Sequence, residues 1–400
     1  MFSKRLFIIP KTVLARLSSS ESKNGVATAL NQLHLKYGGK MVNFAGYSLP
    51  VQYSDLSIVN SHLNTRKWAS LFDVSHMLQT EIRGTACVNF LESLCTADIA
   101  GMKENSSVLT VFTNSQGGIL DDLIVTKINN QHLYVISNAA RKHHDQRHLM
   151  KELDHFTQGN GIQIKFHDPS EFSLVALQGP LSSEVLQNLI TDDLSKLYFM
   201  NSMLTTIAGV GDCRVTRCGY TGEDGFEISL ASSKVEHVVE NILRNDKVNL
   251  AGLGARDSLR LEAGMCLYGN DITENTTPIE AGLAWLVAKI RRERADFPGA
   301  DVILNQIKNG VRRRRVGFTQ ESGPPARQDT VILSEDGKEI GLVTSGCPAP
   351  SLGKNVAMGY VPIEFSKVGT KLKFKIREKM YDTVVTKMPF VLSRYYTKKP

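Results

Sequence analysis

RRVGFTQESGPPARQDTVILSEDGKEIGLVT, residues 314–344, decides how the C-terminal part of this chain is read. Arg314–Thr319, Thr330–Ser334 and Glu339–Thr344 are short runs rich in apolar and β-branched residues, and Glu335-Asp336-Gly337-Lys338 between the last two is turn chemistry. Farther on, Lys371–Ile376 and Thr383–Lys387 repeat the pattern, and Cys347-Pro348-Ala349-Pro350 reads as another turn. Closely spaced strands with no strong helical stretch predict a small antiparallel β-barrel of about 100 residues. Its boundary falls near residues 290–300.

Upstream, helical and strand patterns alternate. Asn138 to Phe156 predicts a helix, with Leu149, Leu153 and Phe156 at i, i+4 and i+7 and Ser137 or Asn138 as its cap. Ser233-x-x-Glu236 reads as a capping box opening a second helix, whose buried stripe is Val235, Val238, Val239 and Ile242. Val108–Thr113, Leu133–Ser137 and Ser173–Leu177 read as strands, and Cys213–Arg217 and Gly225–Leu230 as hairpin strands around CGYTGEDG. Regular crossover helices do not relay these strands, so the fold class is α+β. The division expected is a leader at 1–22, a larger α+β region at 23–295 and the barrel domain at 296–400.

Composition excludes collagen-like, disulfide-scaffold and wholly disordered chains, with 42% apolar and 22% charged residues in a length of 400. The six cysteines form no C-x-x-C and read as reduced thiols. More than half of the net charge of +7 sits in the first twenty residues, where Lys4, Arg5, Lys11 and Arg16 face no acid. Such a leader predicts a mitochondrial transit peptide and a matrix destination. No run of apolar residues is long enough for a membrane-spanning helix, so no membrane partner is expected.

The usual cofactor signatures are missing. Gly252-x-Gly254 starts a dinucleotide fingerprint, but Asp257 stands where its third glycine should fall, and there is no P-loop, G-x-S-x-G or H-E-x-x-H. No nicotinamide cofactor is expected. His144 and His148 share a helix face at i, i+4, a zinc-compatible spacing. Their neighbours Arg141, Lys142, Asp145, Arg147, Lys151 and Glu152 read as a solvated face, so no metal is expected. The basic runs Lys289–Arg294 and Arg312–Arg315 lack interleaved aromatics and read as solvated edges or a docking patch for an acidic protein, with no nucleic-acid partner expected.

Four segments concentrate polar residues. Gly117-Gly118-Ile119-Leu120-Asp121-Asp122-Leu123-Ile124-Val125 sends two carboxylates into an apolar strand, where alternation points them to opposite faces. Burial raises a carboxyl pKa and makes it a usable proton acceptor, whereas a plain turn would leave both solvated. Glu227 faces away from Phe226 and Ile228, toward water or a cavity. Arg256 and Arg260 stand one helical turn apart and suit carboxylates, or form an exposed charged face. Tyr395 and Tyr396 follow Met388-Pro389-Phe390-Val391 and read alone as edge packing.

Together these blocks, with GGKMVNFAGYSLP at 38–50, LFDVSHM at 71–77, ARDSLRLEAGMCLYGND at 255–271, 344–362 and 387–391, resemble the aminomethyltransferase (T-protein) family of the glycine cleavage system across about 370 residues. The resemblance implies a three-lobed cloverleaf around a central folate channel, its first two lobes interleaved in sequence and its third the barrel. It implies a tetrahydrofolate-dependent transfer of the one-carbon unit from the S-aminomethyldihydrolipoyl arm of the H-protein, releasing ammonia, 5,10-methylenetetrahydrofolate and dihydrolipoyl H-protein. It places Asp122 as the catalytic carboxylate and Tyr220, Glu227, Arg256 and Tyr395 as folate-binding residues. The P-protein and L-protein are looser partners, and neither metal nor nicotinamide is needed.

Cys266 lies in GMCLYG rather than in the K-G-C-Y-x-G-Q-E block of relatives that act in iron–sulfur assembly, and no room remains for the flavin domain of dimethylglycine and sarcosine dehydrogenases. A non-enzymatic folate-binding or assembly factor and a basic nucleic-acid binder are the competing readings.

Overall fold

The computed structural model describes residues 25–157 and 161–398; the expected transit peptide at 1–22 lies outside them. Two large sheets, a small three-stranded sheet (Val26–Ala27, Tyr47–Tyr53, Gly39–Phe44) and a barrel form three lobes. The first sheet runs in the order Ser202–Ile207, Val210–Thr216, Gly225–Ala231, Phe172–Gln178, Ala69–Asp73, Val248–Leu250. All of its pairs are antiparallel except the last. The second sheet is Ser106–Thr113, Ile119–Asn129, His132–Ser137, Leu78–Arg83, Gln163–Phe166. The second sheet's segment is thus inserted between two neighbouring strands of the first, which interleaves the two lobes in sequence. Phe72, Tyr134, Leu174 and Leu259 belong to the apolar cluster joining the lobes.

The barrel is closed and six-stranded, from Arg313–Gln320 to Lys379–Thr386. It corrects two readings. The strand Glu339–Ala349 continues through Cys347-Pro348-Ala349, which the sequence marks as a turn, and Lys354–Pro362 is a barrel strand. The first strand tolerates Pro348 because beyond Val343 it is laddered only to Lys354–Pro362, the pairing with Val331–Leu333 having ended at Leu342.

The valine stripe of helix Ser232–Leu243 is fully buried as expected, but the capping box is not formed. The Ser232 hydroxyl donates to the Pro169 carbonyl and pairs with Ser173, and the helix begins two residues early on an Ala231 N-cap. Helix Lys142–His155 likewise starts later than expected and without a side-chain cap, because Ser137 and Asn138 spend their polar atoms on Asp145, Asp121 and Asp122. The six thiols are free, all buried save the half-buried Cys266.

Candidate active site

The strand Ile119–Asn129 shows why two adjacent aspartates have different fates. Ile119, Asp121, Leu123 and Val125 face inward and are buried, whereas Leu120, Asp122 and Ile124 are half-buried on the other face. The solvated-turn alternative fails. The glycines before this strand permit close approach: Gly117 has φ +76°, and a Cβ on Gly118 would collide with the Glu274 carbonyl.

Asp122 opens onto a cavity of about 860 Å³ enclosed by all three lobes, at the upper end of the usual size for a small-molecule site. Tyr220, Glu227, Arg256 and Tyr395 line the same cavity. Five residues spread over 274 positions of sequence thus converge on one space.

Each arrives by a different device. Glu227 lies on Gly225–Ala231 opposite Thr216 and Ala176. Burial pushes its carboxyl up, while the Arg256 charge and a hydrogen bond from the Cys218 thiol oppose the rise. Arg256 projects from helix Leu253–Glu262 with its guanidinium 4.7 Å from the Tyr220 ring centroid, a cation–π contact that fixes both. The Tyr220 hydroxyl donates to the Cys266 carbonyl, which anchors the ring at the cavity wall. Arg260, one turn beyond, is structural: it is buried and holds Asp271 at 2.7 Å and Asp257 at 2.9 Å, so the exposed-face alternative fails for it.

Tyr395 comes from a strap that leaves the barrel. Phe390 and Val391 donate backbone N–H to the Glu262 carbonyl, Arg394 N–H to that of Gly222, and the Arg394 guanidinium to Glu223 at 2.6 Å. Glu223 also holds Arg66 at 2.8 Å. Tyr395 then stacks on Phe199 at 4.1 Å and 12°, both lining the cavity, whereas Tyr396 stacks on Tyr198 outside it and packs an edge.

Burial, with a smaller contribution from the Asp121 charge, pushes the Asp122 carboxyl up to about 7. Asn138 donates from its side chain to Asp122 Oδ1 at 2.8 Å. Sequence reasoning missed Asn138 and His76. His76 is buried against the cavity, its Nδ1 has no partner, and burial with the Arg256 charge pushes its imidazole down to about 3. A lone histidine in LFDVSHM gives no sequence signal for this placement.

The Arg312–Arg315 run is not a uniform solvated patch. Arg315 is buried and donates to the Ala281 carbonyl at 2.9 Å, and Arg313 pairs with Glu280 at 2.9 Å. In the other run Arg291 is buried against Glu92 and Asp296. The His144 and His148 rings stack at 6.1 Å, and Asp145 beside them is fully buried instead of solvated.

Three lobes around a cavity lined by a near-neutral carboxyl, a second carboxyl and aromatic side chains form the kind of site in which an enzyme holds a small molecule. Two family models match: the GCVT N-terminal domain over residues 30–291 and the glycine cleavage T-protein C-terminal barrel domain over 313–391. The mitochondrial aminomethyltransferase of Mus musculus is 54% identical over 372 residues, 93% of this chain and 91% of that protein. That of Homo sapiens is 54% identical over 375 residues with the same coverage. The crystal structure of glycine cleavage system aminomethyltransferase T from Bartonella henselae matches with a TM-score of 0.87 at 39% identity, covering 93% of this chain and 99% of that one. The chain belongs to the glycine cleavage T-protein family, the aminomethyltransferases of the glycine cleavage system, and is one of its mitochondrial members.

Proposed function

We propose that the three-lobed cavity binds tetrahydrofolate as one-carbon acceptor and admits the S-aminomethyldihydrolipoyl arm of the H-protein, in the mitochondrial matrix. The observation that carries this reading is the convergence of Asp122, Tyr220, Glu227, Arg256 and Tyr395 on one cavity. The residues fit the ligand. A pterin presents a ring N–H beside an amino group, and Glu227 offers one carboxylate able to accept from both. The Arg256 charge opposes the rise that burial causes in that carboxyl. Tyr220 and Tyr395 supply flat faces for the ligand's rings. Tetrahydrofolate, when bound, supplies the nucleophilic nitrogens.

Asp122 is the catalytic residue in this reading. At neutral pH its carboxyl is divided between acid and base, so it accepts the proton given up as the nitrogen attacks the aminomethyl carbon. Its charge also opposes the positive charge developing on the one-carbon unit. Asn138 sets the direction in which this carboxylate points. Ammonia and the dihydrolipoyl carrier leave, and 5,10-methylenetetrahydrofolate is the product. The domain division at residues 295 and 296 and the looser association with P-protein and L-protein belong to the same proposal.

Mixing the leader-free chain with tetrahydrofolate and aminomethylated lipoyl carrier tests the reading. Stoichiometric ammonia and methylenetetrahydrofolate, lost in Asp122→Asn, support it; folate binding without turnover overturns it in favour of a binding or assembly factor.

A further inference from the structure

Behind Asp122, on the closed side of its strand, lies a pair of carboxyls that the mechanism above does not use. Asp121 and Asp145 are both fully buried. The two interact electrostatically. Two ionised carboxylates buried side by side repel each other, and a proton held between them relieves that charge. Ser137 Oγ donates to Asp145 Oδ2 at 2.8 Å. Asn138 joins the pair to the cavity. Its backbone N–H donates to Asp121 Oδ2 at 3.0 Å, and its side-chain amide to Asp121 Oδ1 at 3.0 Å and to Asp122 Oδ1 at 2.8 Å.

We propose that Asp121 and Asp145 share one proton and, through Asn138, form a positioning unit for Asp122. The shared proton leaves one negative charge behind the cavity carboxyl in place of two, and Asn138 fixes the direction in which that carboxyl faces. The proposal rests on the reading of Asp122 as the catalytic carboxyl.

The surroundings agree. Burial pushes the Asp121 carboxyl well up and Asp145 to about 6, the direction expected of a pair retaining a proton at neutral pH. The other groups facing the pair are Arg141, whose charge opposes the rise at Asp145, and His144, whose Nδ1 lies 3.3 Å from Asp145 Oδ1 and whose imidazole burial pushes down. Glu274 and Tyr268 complete that side, the latter under the Arg141 guanidinium at 5.0 Å. On the cavity side Asp122 faces Tyr220 and Cys266, both held protonated by burial.

A shared charge predicts opposite outcomes for its two owners. Asp121→Asn confines the charge to Asp145, which does not adjoin Asp122 in the strand, so Asp122 ionises more readily. The acid limb of kcat/KM against pH should then move down by about half a unit to one unit. Asp145→Asn confines the charge to Asp121, beside Asp122, and should move the same limb up by about half a unit. A purely structural role would lower activity in both variants without opposed shifts.

The test is the pH profile of the leader-free enzyme and both variants, assayed with tetrahydrofolate and aminomethylated lipoyl carrier. Opposed shifts support the shared proton; shifts in one direction, or none, overturn it. Activity surviving in Asp122→Asn overturns the catalytic reading instead, so the two failures are distinguishable. The unaltered protein provides a second measurement should a variant fail to fold. Infrared spectra with isotope-labelled aspartate should show a protonated carboxyl at pH 8.5, above the range in which Asp122 titrates, and its absence refutes the proposal.

Discussion

Asp122→Asn should cost the enzyme its turnover and make the protein more stable. The fold holds the Asp122 carboxyl at about 7 against an ordinary value of 3.8, a rise caused first by burial. A carboxyl whose pKa is raised by folding contributes stability that is complete below about pH 4 and is lost as pH climbs through about 7. Three units at 1.36 kcal/mol each set a ceiling of about 4 kcal/mol for that loss. Water in the cavity and relaxation around the ion reduce it, and about 1–2 kcal/mol is the working figure. Asparagine cannot ionise and escapes the loss. The difference in Tm between variant and parent should therefore open between pH 4 and pH 7, reach about 2–4 °C, and stay level above. Over the same range kcat should fall by about 10² to 10⁴, the span of a positioned acid–base group. Differential scanning fluorimetry across pH and a coupled folate assay read the two quantities. A Tm difference independent of pH, or a variant less stable at pH 8, would refute the argument that burial of this carboxyl is a stability cost retained for catalysis.

Glu227→Ala removes a charge-assisted acceptor and should weaken folate binding by about 10²-fold, measured by fluorescence titration. Arg394→Ala releases the strap from Glu223 and Arg66; the folate Kd should rise about tenfold and proteolysis near residue 394 should quicken, with Arg394→Lys partly restoring both. Arg260→Ala leaves Asp271 buried without its cation and should cost about 3–5 kcal/mol in a denaturant melt. Arg314 is exposed at the cavity and lacks the structural bonds of Arg313 and Arg315. Arg314→Glu should raise the KM for the lipoyl carrier several-fold and leave folate affinity unchanged.

The match of sequence to site is uneven for physical reasons. Period-two alternation placed Asp121 and Asp122 on opposite faces, because a strand leaves neighbouring side chains no other choice. The valine stripe of Ser232–Leu243 was equally plain, since an apolar face at helical spacing must be buried. The capping box on Ser233 failed because the helix already starts at Ser232, which is anchored to distant Pro169 and Ser173, and local propensity yields to such contacts. Asp145 looked solvated among its charged neighbours; it is fully buried, with Ser137 of the adjoining strand donating to its carboxyl.

The sequence by itself determined the class of fold, the closely stranded C-terminal lobe and the five residues whose surrounding blocks resemble those of one family. These are properties of short stretches, where periodicity, turn chemistry and motif spacing act within a few residues of each other. Only the tertiary structure decided that those five residues share a cavity, that Asn138 and His76 join them, and that Arg315 of the arginine run is internal. It also decided which faces of the aspartate strand are buried. Burial and charge pairing depend on what the rest of the chain brings within a few ångströms, and for these residues the neighbours come from other lobes.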